Sequence, residues 1–296
     1  MKGLIIVNTF LRPKESILHA YRLQEEFNAM GVSVRIESDG FIKSGVVGNK
    51  TVTDLFDYDF AVYLDKNKYL SEILEKCNIP VFNSHQSIRI CDDKGETYIA
   101  LANNGIKIPD TIFGTLSYMP DDVIGEGFAN TIINKLGLPV VVKESYGSRG
   151  VGVYLAKDKT ELLKLMNDLK NKPHLYQKYI DCEKGVDYRA IVIGGKVVAS
   201  MRRRNDGDFR SNVARGGVGE MVDLPKEYIE TAEKCAKILG LDYCGVDLLK
   251  SEDQSPVVCE VNSNAFVTGI EKATGVNVCR IYAKYIVDKI NNIKKI

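Results

Sequence analysis

The chain has 296 residues, enough for two or three packed α/β units, and its 45% apolar and 27% charged residues are an ordinary balance for a soluble globular protein. A formal net charge of +1 provides no global attraction to nucleic acid or to a membrane surface, so any basic function must be local. Seven widely spaced cysteines without a CxxC pair, and three histidines isolated from one another, exclude a zinc-finger arrangement and fit reduced thiols in a cytoplasmic setting.

Lys2 to Asn8 reads as a buried opening strand, and the apolar core Leu4 to Val7 is too short for a secretory signal. Lys14 to Met30 has helical spacing through Ile17, Tyr21, Leu23 and Phe27, with Gly31 closing it. Strands are expected at Val32 to Ile36, Phe60 to Leu64 and Val81 to Phe82, with a helix from about Tyr69 to Lys76. Strands alternating with helices imply a parallel sheet covered by helices. No glycine-rich dinucleotide fingerprint follows the first strand, and the chemistry of this α/β domain, residues 1–90, is not legible.

Asp92 or Asp93 can cap a helix running to Asn103, which Gly105 ends. A strand is expected around Thr111 to Phe113, a helix over Asp121 to Lys135, and a strand from Leu138 to Lys143. Helix Lys159 to Leu169 and strand Leu175 to Ile180 follow. Gly185 to Gly194 and Lys196 to Arg204 read as antiparallel strands joined at Gly194-Gly195. Lys226 to Leu239 is helical. Leu241 to Phe266 reads as a hairpin around the polar turn Ser251 to Ser255, and a helix from Val278 to Ile290 closes the chain. No segment reaches a transmembrane length.

Four groups of residues can carry chemistry. Lys143 leads into a loop, Glu144 to Gly152, whose three glycines free backbone N–H groups to face an anion, with Ser145, Ser148 and Arg149 adding donors. It is not a Walker A motif, since no G-K-[ST] opens a helix, and standing alone it reads first as a flexible hairpin turn. The strand edge Gln177, Lys178, Tyr179, Ile180 can present backbone groups to a base, with Asp181, Glu183 and Asp187 following. Arg189, Arg202, Arg203, Arg204, Arg210 and Arg215 form the densest basic region; arginine forks suit phosphate and carboxylate. Without interleaved aromatics and with a neutral total, this region does not read as a nucleic-acid patch. On the hairpin, Glu260 and Asn262 share a strand face that Asp247 can meet across the pair, a ligand set for a hard cation. Together these are the equipment of phosphoryl transfer from a nucleotide.

The segments P-V-V-V-K (139–143), Y-Q-K-Y-I (176–180), G-V-D-Y-R (185–189), D-F-R-S-N (208–212), R-G-G (215–217), G-V-D-L-L (245–249), E-V-N (260–262) and G-I-E-K-A-T-G (269–275) occur in an order that resembles an ATP-grasp ligase of the RimK type, the alpha-L-glutamate ligase family. The resemblance spans about Asp92 to the C-terminus. It implies an α/β (α+β) ATP-grasp fold with an N-terminal pre-ATP-grasp α/β domain (1–90), a central subdomain (91–175) and a C-terminal subdomain (176–296), with ATP held between the last two. It also implies an ATP-dependent carboxylate–amine ligase working through an acylphosphate, with glutamate ligated to a protein, peptide or cofactor acceptor. A small-metabolite amino-acid ligase of the same fold, and a nucleotide-binding module without turnover, remain the alternatives.

By position, the resemblance gives Lys143, Arg203, Arg210, Asn212 and Arg215 catalytic roles. ATP would be bound by Lys143, Ser148, Gln177, Lys178, Tyr179, Ile180, Asp187 (near the ribose), Arg189, Arg210, Ser211 and Asn212. Two Mg²⁺ or Mn²⁺ ions would be held by Asp247, Glu260 and Asn262. The implied partners are ATP, an amino-acid donor and an acceptor, without a membrane or nucleic acid, and a homo-oligomer (dimer or tetramer) is compatible with it. The chain departs from its relatives at Ser263 to Phe266, at Met201-Arg202 and at Ala214, all near the expected acceptor side.

Overall fold

The computed structural model describes residues 1–10, 14–211 and 216–294. The first sheet is parallel, in the order β2 (Ser33–Ser38), β1 (Lys2–Val7), β5 (Phe60–Leu64) and β6 (Val81–Phe82). The continuous apolar runs explain this: β1 from Gly3 onward and all of β5 are buried, as strands covered on both faces must be. Helices α1 (Lys14–Ala29) and α2 (Lys68–Lys76) connect these strands. A hairpin not foreseen from the sequence, β3 (Ser44–Val47) with β4 (Lys50–Thr53), lies against α2; half-exposed on both faces, it lacks the apolar alternation that marks a strand.

Two short helices, α3 (His85–Asp92) and α4 (Lys94–Leu101), lead out of the first sheet. Asp93 caps α4, its carboxylate accepting from the Gly95 and Glu96 amides. The second sheet is antiparallel, in the order β7 (Thr111–Phe113), β10 (His174–Lys178), β8 (Val140–Glu144) and β9 (Val153–Ala156). Its apolar face packs on α5 (Glu126–Leu136) and α6 (Lys159–Leu169) through Ala129, Ile132, Leu162 and Met166. α5 begins at Glu126 rather than Asp121, after Gly125.

The third sheet is antiparallel, β13 (Val218–Met221), β12 (Lys196–Arg204), β11 (Val186–Ile193), β14 (Tyr243–Lys250) and β15 (Pro256–Asn262). Gly194 and Gly195 form the expected β11–β12 turn, both with positive φ. One face packs beneath α7 (Lys226–Ile238); the other shares a core with α8 (Thr268–Thr274), α9 (Val278–Ile293) and the first sheet. The first and third sheets are also tied by Asn83, which donates to the Tyr243 and Ser263 carbonyls and accepts from the Asp242 and Tyr243 amides, using all its hydrogen-bonding capacity.

The expected boundary at 175/176 falls inside β10. That strand pairs with β7 and β8 as far as Lys178, so the second sheet ends there.

Candidate nucleotide and metal site

The second and third sheets face each other across a cleft that is open to solvent and lined from both sides. Lys143 reaches it from the end of β8. Its Nζ lies 3.3 Å from the Tyr98 hydroxyl and 3.9 Å from the Cys259 sulfur. Burial works against its charge and the nearby Glu260 carboxylate favours it.

A second lysine, not singled out from the sequence, stands beside it. Lys94 is the first residue of α4 and is buried. Its Nζ donates to the Gly147 carbonyl at 3.0 Å and lies 3.6 Å from Glu260 Oε1. Burial, with Lys143 close by, holds its pKa below that of an ordinary lysine. A cation in the first turn of a helix opposes the macrodipole, and this misfit was the signal available in the sequence.

The loop after β8 arches over the cleft through Ser148, Gly150 and Val151. Gly147, Gly150 and Gly152 have positive φ, as does Arg149 at 57°. Arg210 clamps the loop, donating to the Gly150 and Val153 carbonyls at 3.1 and 3.0 Å, while Asp208 pairs with its guanidinium. Ser211 lies buried at the cleft wall. Asn212 and Arg215 lie outside the described residues.

Gln177 to Ile180 line the opposite wall. The Gln177 side chain is committed, donating to Thr111 Oγ1 at 2.9 Å and accepting from Tyr98. The Lys178 amide is used by the Asp110 carbonyl. Past the end of β10, the Tyr179 and Ile180 amides make no hydrogen bond among the described residues. The uncommitted donors on this wall, among the described residues, therefore include two backbone amides and not the Gln177 side chain.

Asp187 lines the cleft and is engaged in an ion pair. Arg203 binds both its oxygens, from Nε at 2.6 Å and from Nη2. Glu183 lines the same cleft, accepts from the Tyr188 hydroxyl at 2.7 Å and lies 3.7 Å from Lys250. Arg203 is itself buried behind the Asp187 carboxylate. It is 2% exposed, does not reach the cleft wall, and links Asp187 to Asp247, whose Oδ2 is 2.9 Å away. Arg189 likewise stands behind the wall, giving Asp247 a two-pronged contact at 2.7 Å from Nε and 2.7 Å from Nη2. Burial would raise the Asp247 carboxyl, but these two guanidiniums outweigh it and hold its pKa below the usual range.

Asp247 and Glu260 are direct cross-strand partners, with Asn262 opposite Gly245. The register slips after Asp247, leaving Cys259 as the extra residue of a β-bulge. The bulge brings consecutive residues, Cys259 and Glu260, to the same cleft and directs the Cys259 carbonyl to the Tyr98 hydroxyl. Burial raises the Cys259 thiol above its ordinary pKa, so it stays protonated beside Lys143. Among the described residues no three His, Cys, Asp or Glu side chains form a metal-holding group. The carboxylate pair plus an amide nevertheless fits one hard cation. Among the described residues the one ion pair of Glu260 is the long Lys94 contact, and Asp247 retains one lone-pair site beyond its three arginine contacts. The Asn262 amide has a buried end without a hydrogen-bond partner; reversing the amide would place its oxygen there.

Comparison with known proteins identifies the family. Residues 91–287 match the RimK-like ATP-grasp domain. Human N-acetylaspartylglutamate synthase A is 38% identical over 223 residues, covering 74% of this chain and 55% of that protein. "Probable alpha-L-glutamate ligase" of Psychromonas ingrahamii is 40% identical over 211 residues, covering 69% of this chain and 67% of that one. The chain spans about half the length of the vertebrate relatives it matches. Among solved structures, D-alanine–D-alanine ligase from Bacillus anthracis complexed with ATP superposes with a TM-score of 0.73 over 100% of this chain and 99% of that chain, at 22% identity. The shared feature at that identity is the fold.

Proposed function

The chain belongs to the RimK-like ATP-grasp family of carbon–nitrogen ligases, and from that premise we propose that it uses ATP to activate a carboxylate as an acylphosphate and passes the acyl group to an amine. The observation that carries this reading is the meeting of Lys94, Lys143, Asp247 and Glu260 on one cleft under a glycine-rich loop. The base would lie against β10, with the free Tyr179 and Ile180 amides as donors. Glu183 would accept from the ribose. Lys94, Lys143, Ser148 and the loop amides would take the phosphates, charge-assisted donors in a partly dehydrated cleft. Glu260, Asp247 and the Asn262 amide would hold Mg²⁺ or Mn²⁺, which when bound neutralises phosphate charge.

In the first step a substrate carboxylate oxygen attacks the γ-phosphorus and ADP leaves with the bond electrons. In the second an amine attacks the acyl carbon, phosphate departs, and the amine loses a proton. The residues contribute positioning and electrostatic stabilisation to both steps. Asp187, Arg203, Asp247 and Arg189 form a chain of alternating charge beneath the phosphate region. Its role is to fix Asp247, with Arg189 and Arg203 acting as positioning residues.

Glutamate is proposed as one of the two substrates, on the strength of the relatives' names; the other is a small acid, a peptide or a protein. The three units are assigned to 1–90, 91–178 and 179–296. Seven unpaired cysteines support a cytoplasmic location, and among the described residues no helix is long and apolar enough to cross a membrane. The reading is tested by ADP release: it should require ATP, a divalent cation, an acid and an amine together, and yield a product one water lighter than their sum.

A further inference from the structure

Among the described residues, one contact of the loop over the cleft reaches a side chain outside the cleft lining. Lys94 holds the Gly147 carbonyl and Arg210 holds Gly150. Between these, at the tip, the Arg149 guanidinium lies over the ring of Phe266, 4.6 Å from its centroid. Arg149 takes this position with φ at 57°, a left-handed conformation that a residue with a Cβ adopts only when its surroundings impose it.

Phe266 stands on a rigid platform. The segment that carries it leaves β15 just past Glu260 and Asn262 and alternates strictly, with Ser263, Ala265 and Val267 buried and Asn264 and Phe266 half-buried on the other side. The Ser263 carbonyl is held by Asn83 and the Ala265 carbonyl by the Tyr243 hydroxyl at 2.6 Å. Ala265 sits directly on Gly245, where an added Cβ would lie 2.6 Å from the Ala265 Cβ. The segment follows directly on the candidate metal ligands Glu260 and Asn262, and it holds one buried side-chain oxygen without a partner among the described residues, Asn264 Oδ1.

We propose that Arg149 and Phe266 are a positioning pair: the phosphate-binding loop closes by docking its tip on the platform that borders the second-substrate side, so closure over the nucleotide depends on that platform. The assignment of the two sides rests on the ligase reading; the docking itself does not. A guanidinium over an aromatic face contributes enough to shift the closed population by about threefold to thirtyfold. A loop that closes more firmly on an undisturbed platform couples nucleotide retention to the state of the second-substrate region.

The test uses the full chain with Phe266→Leu, which keeps apolar bulk but removes the ring face, and Phe266→Trp, which keeps the face. Amide hydrogen exchange over 144–152 is measured without nucleotide, and the dissociation constant for Mg–AMP-PNP is measured by calorimetry. The expected result is a threefold to thirtyfold faster exchange in that segment for Phe266→Leu, unchanged exchange in β14 and β15, weaker Mg–AMP-PNP binding by a similar factor, and near-native behaviour for Phe266→Trp. Native exchange in Phe266→Leu, or equal loosening in both variants, would overturn the proposal. Failure of the native protein to bind Mg–AMP-PNP would instead overturn the ligase reading, while the exchange comparison would still decide the docking.

Discussion

Arg189 grips Asp247 at both carboxylate oxygens, 2.7 Å from each, across the β11–β14 pair, while Arg203 touches the same carboxylate from below. Asp247 is therefore both a candidate metal ligand and the centre of a buried ion cluster. Glu260, opposite it on β15, has the Lys94 contact as its one ion pair among the described residues. The two carboxylates should separate experimentally. Asp247→Ala leaves two guanidiniums without their shared partner and should cost about 3–5 kcal/mol in stability, read from a urea midpoint. Glu260→Gln should stay within about 1 kcal/mol of the native protein, yet lower metal-dependent turnover by a factor of about 100 or more. Equal stability of the two variants would contradict the cluster.

Lys94 should matter to ATP as much as Lys143. A charge-assisted hydrogen bond contributes about 1.5–3 kcal/mol, so Lys94→Met should weaken Mg–ATP binding about tenfold to a hundredfold in calorimetry. Its fold should survive, because burial already disfavours the ammonium. Unchanged nucleotide affinity would remove Lys94 from the phosphate site.

The ribose contact should belong to Glu183 and not to Asp187. Glu183→Gln should erase most of the preference for ATP over 2′-deoxy-ATP, a difference of roughly fivefold to tenfold for one hydrogen bond. Asp187→Asn should instead lower stability, since it unbalances the buried Arg203. Retained sugar preference in Glu183→Gln would return the ribose to another group.

Much of this site was legible in the chain. The period-two reading that put Asp247 opposite Glu260 and Asn262 on their shared face is a local property of a hairpin with a short polar turn. Lys143 and its glycine loop were readable because the strand before them is continuously apolar. What was not legible depends on pairing between distant segments. Arg189 meets Asp247 only because β11 lies beside β14, 58 residues away in sequence, and that neighbour relation has no local signature. The bulge at Cys259 was also invisible, because an extra residue in a strand changes no residue type. Lys94 is hard to read for another reason: its helix is short and its apolar pattern weak, so a lysine at its start looks like an ordinary surface charge.

His19 should make the fold sensitive to mild acid. It is fully buried without a hydrogen-bond partner, and burial lowers its pKa from the ordinary 6.5 to about 4. Its folded pKa lies below its unfolded one, so the unfolded chain binds the extra proton between those values. The stability associated with neutral His19 is complete above about pH 6.5 and is lost as pH falls toward 4, on the order of 3 kcal/mol in all. In His19→Phe the slope of urea stability against pH over this window should flatten. An unchanged slope would assign the acid sensitivity to other groups.

The central claim is that ATP activates a carboxylate, and one measurement addresses it directly. The chain is supplied with Mg–ATP, an amine and an acid whose carboxylate oxygens are isotopically heavy, with glutamate tried in both roles. If an acylphosphate forms, one heavy oxygen from the acid appears in the released inorganic phosphate for each amide made. Amide formation with only ordinary oxygen in the phosphate, or ADP release that needs no acid, would contradict the account.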